Sequence, residues 1–170
     1  FNLPRTLADA AAKRFGLRRG DRRDLAKPLR FTCAPVNANV KAGQPLLMRF
    51  SATSSDPKPV YISYGGAYRG SGRNNRFSFV VEDAKGRKLP DVGRKMHFGG
   101  LGGVKPVARG KPHRVEVDLR KWVGALKPGT YRVRCSFAVE LATATHLSWK
   151  QGHRRWTLKP QATSTLMVRP

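Results

Sequence analysis

Acidic residues are scarce in this chain: 10 Asp+Glu stand against 34 Lys+Arg, a net charge of +24 over 170 residues. So few carboxylates leave little from which to build an acid–base pair. Glu116 and Asp118 share an outward strand face among arginines. They read as ion-pair partners rather than as glycosidase groups, which must be held about 5–10 Å apart across a cleft. Cysteine is scarcer still, with Cys33 and Cys135 alone and no C-x-x-C, which excludes the familiar zinc and redox motifs. No apolar run reaches the roughly 18 residues that a membrane-spanning helix needs. The four histidines (His97, His113, His146, His153) show no H-E-x-x-H spacing. Ser71, in Gly70-Ser71-Gly72, lacks the G-x-S-x-G elbow of a hydrolase nucleophile. The glycine tract from His97 to Gly103 has no Lys and no Ser or Thr, so it does not read as a phosphate-binding P-loop. The expectation is a chain that is not an enzyme and carries no metal or cofactor.

What is present is positive charge, spread along the chain. Residues 1–30 carry +6, residues 31–91 carry +5 and residues 92–170 carry +13. The folded body is therefore basic in itself and not a neutral domain with a basic tail. A field of that size recruits polyanions such as nucleic acid, acidic polysaccharide or an acidic protein. The competing explanation is a genome or solubility bias toward arginine. The chain begins at Phe1. Removal of a signal peptide is the commonest natural cause of such a start, although a trimmed chain looks the same.

Organisation follows from periodicity. Residues 1–28 form a helical and basic extension. Leu7–Leu17 reads as a short helix with Thr6 as N-cap and Gly16 as its stop, followed by the basic linker Arg18–Arg30. Residues 29–170 read as strands. The clearest is Tyr131-Arg132-Val133-Arg134-Cys135-Ser136-Phe137, opened by the turn Pro128-Gly129, in which odd positions are apolar and even positions polar. Others are Leu29/Phe31/Cys33, Leu46/Met48/Phe50/Ala52, Val60–Tyr64, Phe77/Phe79/Val81, Val115/Val117/Leu119 and Leu166–Val168. Leu147–Trp149 and Trp156–Leu158 suggest a further hairpin around Gly152, and Leu119–Val123 a helical turn. About seven short strands at turn-rich spacing predict an all-β antiparallel β-sandwich with a short N-terminal helical extension.

The turn grammar carries a resemblance. Ala42-Gly43-Gln44-Pro45-Leu46 enters a strand, Ser51–Val60 forms a polar crossover, and Glu82–Leu89 and Leu126–Tyr131 form later turns. In this the chain resembles an immunoglobulin-like or fibronectin-type sandwich module of bacterial secreted proteins over residues 29–170. It departs from antibody domains, because Tyr131 precedes Cys135 by four positions rather than two and no Trp lies at a strand-C position between the cysteines. Such modules bind, space or assemble and rarely catalyse.

Cys33 and Cys135 both fall on inward faces, and two readings stay open: a disulfide suited to an exported chain, or two buried free thiols. Two loops stand out as binding surfaces. Tyr64, Tyr68, Arg69, Arg73 and Arg76 lie in a glycine-rich segment where arginine forks and tyrosine rings could hold an anion. Trp149, Arg154, Arg155 and Trp156 interleave rings and cations around Gly152, although cross-strand ring packing explains that pattern equally well. The resulting expectation is a non-catalytic binding or structural subunit, secreted, periplasmic or at the cell surface. It would dock or assemble with an acidic partner through strand edges, the N-terminal arm and basic loops. Two rivals are a nucleic-acid-binding coat or ribosome-type protein and a protease-inhibitor-like module.

Overall fold

The computed structural model describes residues 28–56, 59–67, 70, 72–93, 103–142 and 156–170. Within these the chain is β-rich and its strands form three sheets. One has the order β1-β3-β7, with β1 (Leu29–Pro35), β3 (Leu47–Ser54) and β7 (His113–Asp118) all antiparallel. A second has the order β2-β11-β8-β5. In it β11 (Gln161–Arg169) runs parallel to β2 (Asn39–Lys41), while β8 (Gly129–Phe137) is antiparallel to both β11 and β5 (Phe77–Glu82). The third has the order β10-β9-β4-β6, from Trp156–Leu158, Val139–Ala142, Val60–Tyr64 and Gly103–Val107. Pro106 sits on β6, an end strand of its sheet, where a residue without an N–H is tolerated.

The core forms where the first two sheets face each other. Alternation on β3 turns Met48, Phe50 and Ala52 inward, and alternation on β8 turns Tyr131, Val133, Cys135 and Phe137 inward. Phe50 bridges the two layers, with its ring 4.5 Å from Phe137 and 5.8 Å from Phe77. Rings of this size bury enough apolar surface to dominate the core energetics. A single helical turn, α1 (Arg120–Val123), follows β7. Asp118 starts it by accepting the Arg120 N–H at 3.1 Å, and Gly124, at φ 72°, ends it. This turn buries Trp122 edge-on to Phe79, at 4.9 Å.

Wherever the residues are described, strands occupy the expected tracts, β3 without Leu46 and β7 without Leu119, which instead precedes the helical turn. Three further details differ. The tract Tyr131–Leu141 changes partners at Ala138: β8 pairs within the second sheet and β9 within the third. β11 extends from Gln161 rather than covering only Leu166–Val168. β2 and β6 had no strong alternation and emerge from pairing alone. The expected N-terminal helix and the Leu147–Trp149 half of the extra hairpin lie outside the described residues.

Candidate functional site

The described residues of the glycine-rich loop between β4 and β5 are pinned to one another. Ala67 and Asn74 form a bridge, and the Asn75 N–H donates to the Gly66 carbonyl at 2.7 Å. Gly66 has φ 90°, and a Cβ there would lie 2.5 Å from Asn74 Oδ1, so only glycine fits. This geometry turns Arg73 inward. Its guanidinium grips Asp91 with both Nη atoms, at 2.5 and 3.2 Å, and Nε donates to Asn75 Oδ1 at 3.4 Å. Its Cζ lies 5.3 Å from the centre of the Trp122 ring, a cation–π contact. Arg73, one of the anion-binding candidates of this loop, is 6% exposed. Gly93 makes room for it, since a Cβ there would sit 2.3 Å from Nη1. Arg76 is half-buried. It donates to the Ser63 carbonyl at 3.4 Å and lies 3.8 Å from Glu140. Both arginines thus hold the loop to the body. Tyr64 belongs to β4, Trp156 opens β10 opposite Leu141, and Tyr68, Arg69, Trp149, Arg154 and Arg155 lie outside the described residues.

Beside this loop a groove of about 500 Å³ runs along β7, lined by Arg73, Asn74, Val115, Val117, Lys121 and Trp122 among others. Its carboxylates are already matched. Arg49 Nη2 meets Glu116 at 2.8 Å across β3 and β7, and Arg120 meets Asp118 at 2.6 Å. Burial pushes the Asp118 carboxyl up. Hydrogen bonds from the Arg120 side chain and N–H, together with its charge, outweigh burial and hold the group below its ordinary value. His113 is buried at the start of β7; burial, with Lys105 nearby, lowers its pKa. Among the described residues no three His, Cys, Asp or Glu side chains group as metal ligands would.

The unbalanced charge lies elsewhere, on the outer face of the β2-β11-β8-β5 sheet. The alternation that buries Tyr131 and Val133 exposes Thr130, Arg132 and Arg134. Register then sets Thr165 beside Arg132 and Thr163 beside Arg134. The parallel pairing of β11 with β2 brings Arg169 level with Lys41, and both are exposed. Glu82, opposite Arg132, sits 3.8 Å from Arg134 and is the carboxylate these strands contribute to that face. Lys41, Arg132 and Arg169 make no ion pair among the described residues. Arg132 and Arg134 are two positions apart on one strand, hence about 6.6 Å apart along it. Thr163 and Thr165 flank the two arginines, and the exposed Met167, opposite Thr130, lies between Thr165 and Arg169 on the same face. Sequence reading had Arg132 and Arg134 as polar strand positions but gave them no role, because the partners on β11 and β2 are fixed only by register.

No family model matches this chain, and no curated protein matches it. Six chains of solved structures match. One, described as "Crystal structure of BslA - A bacterial hydrophobin", superposes with a TM-score of 0.31 at 8% identity, covering 84% of this chain and 95% of that one. A likeness at that level carries no argument about fold or function.

Proposed function

We propose that this chain is a non-catalytic binding module that holds an acidic polymer on the outer face of the β2-β11-β8-β5 sheet. The observation that carries the reading is that face itself: Lys41, Arg132, Arg134 and Arg169 project from paired strands with Glu82 as their counter-charge. Backbone pairing fixes the positions from which the cations project, so only side-chain freedom is lost when an anion binds. Hydroxyls beside them suit a sulfated or carboxylated sugar chain. Stacked nucleobases call for aromatic rings, and the rings of these strands (Phe77, Phe79, Tyr131, Phe137) point into the core. An exported chain would meet acidic polysaccharides at a cell surface.

The scaffold in this proposal is an immunoglobulin-like sandwich. Strand order supports it: β1, β3 and β7 correspond to strands A, B and E of one layer, and β5, β8 and β11 to C, F and G of the other. Tyr131 supports it as well. It lies near the start of β8, and its hydroxyl donates back to the Lys127 carbonyl at 2.9 Å, as in a tyrosine corner. The β10-β9-β4-β6 sheet is then an addition, built from the segments between B and C, C and E, and F and G.

A binding assay with heparin as the acidic polysaccharide tests the reading. Replacing Lys41, Arg132, Arg134 and Arg169 with Ser should weaken binding at low salt by about tenfold or more. Replacing Arg30 and Arg114, on the outer face of the opposite sheet, should weaken it far less. Equal losses per charge from both faces would mean that only net charge matters and would reject the site.

A further inference from the structure

Cys33 and Cys135 come from strands of different sheets. Cys33 is on β1, opposite Phe50 of β3; Cys135 is on β8, opposite Phe79 of β5 and Ala162 of β11. Each is buried, at 5% and 2% exposure, and the two line one small, partly open pocket with Phe50 and Ala162. The two side chains lie near enough for Cys33 to act directly on the Cys135 thiol across the gap between the layers. Free, buried and lining one pocket from facing strands, they are placed to be joined, which two buried cysteines packed merely as small hydrophobes need not be.

We propose that Cys33 and Cys135 are joined as an intramolecular disulfide in the native protein. The bond forms by thiol–disulfide exchange with an oxidised dithiol carrier. One cysteine thiolate attacks the carrier's disulfide, the other displaces the carrier from the mixed disulfide, and the carrier leaves as two thiols. Two S–H bonds break, one S–S bond forms in the chain, and the electron pair goes to the carrier.

Timing follows from burial. Cys33 and then burial push the Cys135 thiol far above its ordinary pKa, and both thiols are buried, out of reach of a carrier disulfide in the closed fold. Exchange therefore runs while the sheets are still apart, and closure locks the product in. The bridge has a physical use in this chain. It ties β1 to β8, a central strand of the opposite sheet, across a loop of about 100 residues, the range in which a cross-link restricts the unfolded chain most. A net charge of +24 pushes the compact state apart, and a covalent tie between layers opposes that push.

The inference is independent of the polyanion reading, and its test uses no ligand. The full chain is refolded in a glutathione buffer with the oxidised form in excess, quenched with acid and digested with trypsin without reductant. The expected product is the peptide of residues 31–41 linked to that of residues 135–150, two hydrogens lighter than the separate pair. Unfolded, unreduced protein should take up no alkylating agent, and reduction should lower the melting midpoint by about 10 °C. The Cys33→Ala/Cys135→Ala chain should melt near the reduced protein and be insensitive to reductant. Two alkylated thiols after oxidative refolding would overturn the proposal. So would links found only between chains.

Discussion

In the loop between β4 and β5, Arg73 is 6% exposed and closes on Asp91 under the Trp122 ring, whereas Arg132 and Arg134 stand out in water from the middle of a sheet. The residue type is the same and the roles are opposite. On β8 the backbone decides: alternation with Val133 and Cys135 inward forces the arginines outward. In the loop the contacts decide. Glycines at φ 90° and 67° bend the chain until Arg73 meets a carboxylate and a ring. An arginine in a glycine-rich loop therefore need not be a binding arginine, while one on an outward strand position is presented by the fold itself. The account rests on this contrast between a structural and a presented cation.

The strongest way to break the contrast is at the shared ring. Trp122 is 2% exposed and supports both Phe79 and Arg73, so Trp122→Ala should cost about 4 kcal/mol in chemical denaturation. Removing the counter-charge comes next. Asp91→Ala leaves the Arg73 guanidinium buried without its carboxylate and should cost about 2 kcal/mol, a figure reduced because the Asp91 side chain is 38% exposed. If Arg73 were instead a surface cation, Asp91→Ala would change stability by no more than about 0.5 kcal/mol. Tyr131→Phe deletes the hydroxyl bonded to the Lys127 carbonyl and should cost about 1 kcal/mol without loosening the β8 pairing, read by hydrogen exchange.

The pH response is smaller and has a defined sign. Burial depresses the His113 pKa, so the unfolded chain takes up a proton on this residue more readily than the folded chain. Stability should be complete above the ordinary histidine pKa, about 6.5, and decline as pH falls below it toward the depressed folded value. Melting curves at pH 7.5 and pH 5.5 should show the decline, and His113→Asn should remove that component. A variant with an unchanged pH slope would show that His113 is not its source.

Much of the fold was legible because strands facing a core announce themselves by alternation. Phe77/Phe79/Val81 and Tyr131/Val133/Cys135/Phe137 were readable residue by residue, and both tracts are strands with those side chains buried. The division at Ala138 was not legible, since Val139 and Leu141 keep the same alternation as β8 while pairing with other strands. β2 was invisible for a similar reason: three residues carry no period, and their place is set by the parallel ladder to β11. The candidate face was half legible. Alternation put Arg132 and Arg134 in water, but the arrival of Arg169, Lys41 and two threonines beside them depends on long-range register. The buried place of Arg73 was not legible, because local composition does not reveal that Asp91, 18 residues away, closes on it.

The most direct test is the salt dependence of heparin binding for three chains: unaltered, Arg132→Ser/Arg134→Ser, and Asp91→Asn. The account predicts that the double substitution leaves stability within about 0.5 kcal/mol. It should also flatten the slope of log affinity against log salt by about 1–2, because the presented cations no longer release counterions. Asp91→Asn should destabilise the fold and leave the slope as it was. A slope unchanged by losing Arg132 and Arg134 would contradict the claim that this sheet face holds the polymer.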